Sequence, residues 1–413
     1  MGTVIWKGDS SAVAQVWEAE IDGYDASTTY GITINGRTVS VAGTTDAATT
    51  VAALIVALNA STYPEFTEIT WAEGSTSTHV KGTADTAGVP FVAKSYTSGG
   101  TGTMDPTTDN NMTEVTANAG PNAWSTATNW DTGAVPVNSD DVIVENSAAD
   151  ILYGLDQSAV TLTSLTIKSS FTGKIGVPRT NSRGYVEYRD SYLAIGATTC
   201  TIGEGEGTGS GRCKINFGTA QTTCTVYQSG SRFERSIPAT LLKGTHASNV
   251  LNVLKGDVGV AFFEGETATV ATLRQGYETN VNGDTAVVLG PGCTLTTITK
   301  SGGDLEINSN LTTLTNSGGE TDIVAGTPGT ITVTGGSVRY RTSGTCTTLT
   351  VGPGEVDFSR DLRAVTVTNC TIKAGAVYSD PHERVTWTNP AALQCALKDI
   401  SLDLGHTFNL QRS

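Results

Sequence analysis

Between residues 293 and 375, apolar residues recur in pairs with one polar residue inside each pair. Placing Ile298, Leu314, Ile331, Leu349 and Val365 in register gives steps of 16, 17, 18 and 16 residues. A second pair per step falls at Leu305/Ile307, Thr321/Ile323, Val338/Tyr340, Val356/Phe358 and Ile372/Ala374. Alternation with a period of two is the pattern of a strand. Gly302-Gly303, Gly318-Gly319, Gly335-Gly336 and Gly352-Pro353-Gly354 stand between the two strands of each step, where turns are needed. Two strands and two turns every 16–18 residues is the repeat of a narrow, single-stranded β-helix, or β-solenoid. Upstream the phase loosens. Leu162-Thr163-Ser164-Leu165 echoes Leu295-Thr296-Thr297-Ile298, while Gly203–Gly211 and the 229–275 region read as loops thrown out from the rungs. A β-sandwich of unrelated hairpins is the competing arrangement. Five turns that keep both spacing and inward parity favour the solenoid.

The first hundred residues have another texture and predict a small α+β unit. Val13–Ile21 reads as a strand, and Tyr30–Val41 as two strands joined by Asn35-Gly36, a strong hairpin signature. Asp46 is placed to cap a helix over 47–60, whose Val51, Leu54, Ile55 and Leu58 form one apolar stripe. Further strands are expected at Glu68–Ala72, His79–Thr83 and Val89–Ala93. The predicted division is therefore 1–110 for an α+β docking unit with a single helix and 111–140 for a linker and solenoid cap containing Trp124 and Trp130. The β-helix follows over 141–380, and 381–413 supplies a C-terminal cap or oligomerisation strands.

Five cysteines are each followed by threonine: Cys200, Cys224, Cys293, Cys346 and Cys370. A cysteine recurring at one phase of a repeat is expected to be a small buried hydrophobe stacked rung on rung. Seven cysteines without zinc spacing fit free thiols in a reducing compartment.

Composition narrows the partners. The 413-residue chain has a net charge of -15 and only 25 Lys and Arg, which argues against nucleic acid and anionic lipid. No apolar run approaches a membrane span. The first residues show neither the basic nor the apolar segment of a secretion signal, so the expectation is assembly in a cytoplasm.

Candidate chemistry is sparse. Outward positions between the paired apolar residues line up as Glu306, Asp322, Arg339, Asp357 and Lys373. Alternating charge on adjacent strands is the signature of a structural ladder. Were the protein an enzyme, Glu306, Asp322 and Asp357 would be its catalytic acids, since glycosidic cleavage needs two carboxyl groups a short distance apart. Gly203-Glu204-Gly205-Glu206-Gly207 lacks the Lys-Ser/Thr and following helix of a phosphate loop and is read as a turn, with calcium at Glu204 and Glu206 only thinly indicated. His79, His246, His382 and His406 share no metal spacing, so no metal or cofactor is expected. Asp380-Pro381-His382-Glu383-Arg384 is read as a polar turn closing the solenoid.

Val4-Ile5-Trp6-Lys7-Gly8-Asp9, Val13–Val16, Ile32–Val39, the 47–60 helix and Thr83–Phe91 together resemble the virion structural proteins of tailed bacteriophages. That resemblance implies a non-enzymatic capsid-decoration or tail protein. An N-terminal unit would dock to other virion proteins, and a β-helix would project from a homo-oligomer, for which a trimer would suit. The alternatives are a tailspike that binds or degrades a host glycan, and a bacterial surface adhesin or filament subunit. The expected location is the virion, assembled in the host cytoplasm.

Overall fold

The computed structural model describes residues 2–230, 237–276, 285–405 and the backbone of 410–412. The protein is mainly β, and its dominant feature is a long parallel sheet of 23 strands among the described residues. Strands pair with the equivalent strand one rung on, as a β-solenoid requires. One inward column shows the stacking directly. Val142, Leu165, Cys200, Cys224, Leu251, Leu273, Ile298, Leu314, Ile331, Leu349 and Cys370 are successive register partners. All are buried. Each rung therefore supplies a branched or thiol side chain to a continuous dry core, and burial of apolar area at about 25 cal/mol per Å² holds the rungs together.

The register corrects the expected repeat in three places. Steps of 16, 17 and 18 residues hold from Ile298 to Leu349, but Leu349 pairs with Cys370, 21 residues on, and not with Val365. The extra residues make a loop after Asp357 in which Arg363 pairs with Asp361. The second strand of that rung is accordingly Ala376–Asp380, with Tyr378 opposite Val356, and Ile372 belongs to the first face. Upstream the rungs lengthen, and the 229–275 region read as loops carries the rung strands Thr240–Lys243, Val250–Val253, Gly256–Val260 and Ala268–Gln275. These strands are short and separated by unequal turns, so periodicity alone misses them. The Cys-Thr motifs also do not share one phase. Cys200, Cys224 and Cys370 stand in the column above, whereas Cys293 pairs with Ala268 and Cys346 with Val367.

Tertiary structure redraws the N-terminal boundary. Thr3–Ile5 is a parallel strand of the long sheet, with Val4 opposite Val142. Trp6 packs edge-on to Trp130 at 5.1 Å, and Trp124 to Trp130 at 4.7 Å, so three fully buried indoles close that end of the core. Residues 3–6 thus belong with the rungs and not with the α+β elements that follow them.

Those elements gather around a second core made of Ile21, Ile32, Leu54, Leu58, Phe66, Trp71, Val80 and their neighbours. Helix Ala47–Asn59 is capped by Asp46, whose carboxylate accepts from the Thr49 amide at 2.7 Å. Asn35 (φ 51°) and Gly36 (φ 72°) make the tight turn between Thr29–Ile34 and Arg37–Ala42, a backbone that an Asn-Gly pair adopts with little strain. Further strands extend this unit past residue 110, into the expected linker. Lys94–Ser98, Thr103–Asp105 and Thr113–Thr116 pair antiparallel with the preceding strands, while Val89–Ala93 forms none.

The far end carries polar and aromatic devices. Tyr340, Phe358, Tyr378 and Trp387 form a run of rings at 5.1, 5.5 and 5.8 Å. Arg384 turns inward, and its guanidinium donates to the carbonyls of Tyr340, Phe358, Thr342 and Arg363 at 2.6–3.1 Å. His406 and, within the expected 381–413 cap, residues 407–409 and 413 lie outside the described residues.

Candidate functional site

The acidic ladder forms as register neighbours Glu306, Asp322, Arg339 and Asp357, but its next member is Ser379 and not Lys373. Lys373 sits on a different strand, opposite Gln394. Adjacent members are about 4.8 Å apart along the stack, so Asp322 and Asp357 are separated by roughly 10 Å with Arg339 between them.

Each acid already has a partner. Glu306 accepts from Asn308 Nδ2 at 2.8 Å. Asp322 faces Arg341 at 3.4 Å, and Arg339 pairs with Glu320. Asp357 accepts from the Ser359 amide at 2.7 Å and from Arg360 Nε at 3.1 Å. Their acidities diverge for physical reasons. Burial pushes the Asp322 carboxyl above its usual range, against the pull of Arg341. Burial also acts on Asp357, but hydrogen bonds from Ser359 and the charge of Arg360 outweigh it and hold that carboxyl low. A groove beside Glu306 and Asp322 is lined by Val287 and Leu305, and among the described residues no aromatic side chain lines it. The arrangement offers adjacent carboxyl groups that already have polar partners, without a platform among the described residues on which a sugar ring could stack.

A second constellation has no counterpart in the sequence patterns. Residues 178–192 leave the rungs between Asp156–Lys168 and Leu193–Glu204 and pack on the α+β elements. Arg189 Nη2 donates to Glu68 Oε2 at 2.7 Å and its Nε to the Pro90 carbonyl at 2.6 Å. Glu187 Oε1 and Tyr185 Oη also receive bonds from Arg189 Nη1, at 3.1 and 3.0 Å, and the Tyr185 hydroxyl donates to Glu68 Oε1 at 2.9 Å. Arg183 approaches the same Glu68 oxygen at 3.4 Å. Asn35 Nδ2 donates to the Val186 carbonyl, and Tyr188 packs against the second core. The Arg189 guanidinium is nearly buried, so this is a desolvated, multiply bonded charge pair and not a surface contact. Only the unusual density of Tyr, Arg and Glu over 179–189 marks it in the sequence.

Among the described residues, no group of three or more His, Cys, Asp or Glu is placed to hold a metal ion, and Glu204 and Glu206 are both exposed. No described helix is long and apolar enough to cross a membrane. No protein-family model matches the chain, and the curated proteins include no match to it.

Proposed function

We propose that the chain is a non-enzymatic structural component of a phage-like virion, either a capsid decoration or a tail-associated protein. In this reading residues 13–116 form a small α+β docking unit that holds other virion proteins. The single-stranded β-helix is the stiff body fixed to that unit. The observation that carries the reading is the Glu68–Arg189 clamp, which ties the unit to a loop of the solenoid's early rungs by buried, charge-assisted bonds. A rigid joint between a compact unit and a rod suits load transfer and ordered display better than it suits catalysis, which uses a mobile or open cleft. The particle would hold the chain as a homo-oligomer, since identical subunits on a symmetric lattice present identical docking sites.

Quantitative mass spectrometry of purified particles tests this proposal: the chain should be present at high copy number. Its absence from particles that carry the remaining structural proteins would overturn the virion assignment.

A glycan-degrading tailspike is the second reading, favoured by the Asp322 carboxyl, whose pKa burial raises, beside Glu306. Incubation with capsular or O-antigen polysaccharide separates the two. Release of reducing ends or unsaturated sugars, lost in Asp322→Asn or Asp357→Asn, would establish the enzyme. An unchanged polymer supports the structural role.

A further inference from the structure

One inward column is aliphatic through Val226 and Val253, then changes character for three rungs. Gln275, Lys300 and Asn316 follow one another as register partners before Val333 restores the aliphatic run. All three are buried, with Lys300 and Asn316 at 0% exposure. An amine inside an apolar column is costly unless its neighbours compensate.

Those neighbours are arranged around a single amide. Lys300 Nζ lies 3.3 Å from Asn316 Oδ1 and 2.6 Å from the Gly318 carbonyl. Thr321 Oγ1 donates to the same Oδ1 at 3.0 Å, and Asn316 Nδ2 donates to the Gly335 carbonyl at 2.7 Å. The amide is thus pinned at both ends with its carbonyl turned towards the amine. The backbone is close as well. A Cβ on Gly319 would stand 2.2 Å from the Gly303 carbonyl oxygen and 2.7 Å from Nζ, so glycine there lets both the adjacent rung and the amine approach. Burial lowers the ammonium pKa to about 8, with Asp304 partly opposing, which populates the free-amine nucleophile near neutral pH.

We propose that Lys300 and Asn316 become joined by an intramolecular isopeptide bond that welds two adjacent rungs. The Nζ lone pair attacks Asn316 Cγ, and the carbonyl electron pair moves onto Oδ1, where the Thr321 hydroxyl stabilises it. Collapse breaks the Cγ–Nδ2 bond, and the proton lost by Nζ leaves with Nδ2 as ammonia. One C–N bond forms and one breaks, with no oxidant, metal or cofactor. The column on either side is buried, with Gln275 and then Val253 before Lys300 and Val333 after Asn316, and excludes water that would hydrolyse the amide instead. Thr321 is catalytic on this account, because its hydroxyl donates directly to the reacting carbonyl oxygen.

The test is mass spectrometry of the full chain, purified under native conditions. The expected protein is lighter than its sequence by one ammonia. Cleavage after Glu306 and Glu320 should leave the 307–320 peptide attached to the peptide containing Lys300, and trypsin should fail to cut after Lys300. Lys300→Arg should abolish both the mass loss and the joined peptides, and Thr321→Val should cut the joined fraction several-fold at a fixed time. A succinimide at Asn316 would also lose ammonia, but it would leave the peptides separate and persist in Lys300→Arg; that result overturns the proposal. Full unmodified mass in the unaltered protein overturns it equally, and that reading depends on no variant folding.

Discussion

Arg189 and Glu68, 121 residues apart in the chain, meet through a 2.7 Å bond between Nη2 and Oε2. Removing one partner of a buried pair leaves the other charge desolvated and costs about 3–5 kcal/mol. Arg189→Met should therefore lower stability by about that amount and expose the 178–192 loop to protease. Glu68→Gln should cost less, because its one remaining carbonyl oxygen can still accept from either Arg189 or Tyr185. A double-mutant cycle should return a coupling above about 1 kcal/mol, and additivity would show that the contact is incidental.

Arg384 should hold the far rungs. Its guanidinium serves four backbone carbonyls drawn from successive turns, and leaving buried acceptors unsatisfied costs about 1–3 kcal/mol each. Arg384→Met should accelerate amide exchange across Ala376–Gln394 while leaving the Val142–Ile202 rungs unchanged. Uniform protection in the variant would show that the aromatic run at Tyr340, Phe358 and Tyr378 suffices.

The thiols should react in an order set by burial. Cys293, Cys346 and Cys370 are pushed up to about 12 by burial, and Cys213 is raised for the same reason. Cys200 is raised through its hydrogen bond with Cys224 and by burial. Cys395 is half-buried. Native labelling with a maleimide should modify Cys395 first and the others only on unfolding. Rapid labelling of Cys293, Cys346 and Cys370 would break the inward register.

Asp25 gives the second core an acid-sensitive joint. Amides of Thr101 and Ser27 donate to its carboxylate at 2.5 and 3.0 Å and hold it well below the usual carboxyl range. A group depressed on folding contributes stability that is present above the unfolded value near 4 and is lost as pH falls through the folded value. Chemical denaturation should show stability falling as the protein is acidified below about pH 4. Asp25→Asn should flatten that slope; an unchanged slope would assign acid sensitivity to other carboxylates.

The solenoid was legible where its signal is local. Inward parity and glycine turns over 293–351 depend on neighbours a few residues apart, and the register follows them rung by rung. The Asn35-Gly36 turn and the Asp46 cap are equally local and formed as read. Legibility failed wherever a loop of unequal length intervened, as before Cys370, because inward parity leaves loop length free. The acidic ladder was half readable. Glu306, Asp322, Arg339 and Asp357 follow from parity, but their pairing with Arg341, Glu320 and Arg360 depends on how turns aim long side chains.

By itself the sequence determined a mainly β chain with stacked inward columns, since alternation and turn chemistry are short-range and repeat. Only the tertiary structure decided that Thr3–Ile5 joins a rung begun at Asp141, that Arg189 closes on Glu68, and that Lys300 faces Asn316. These meetings are set by how many residues each rung spends before it returns. That length is fixed by packing across the whole body and leaves no periodic trace in the chain.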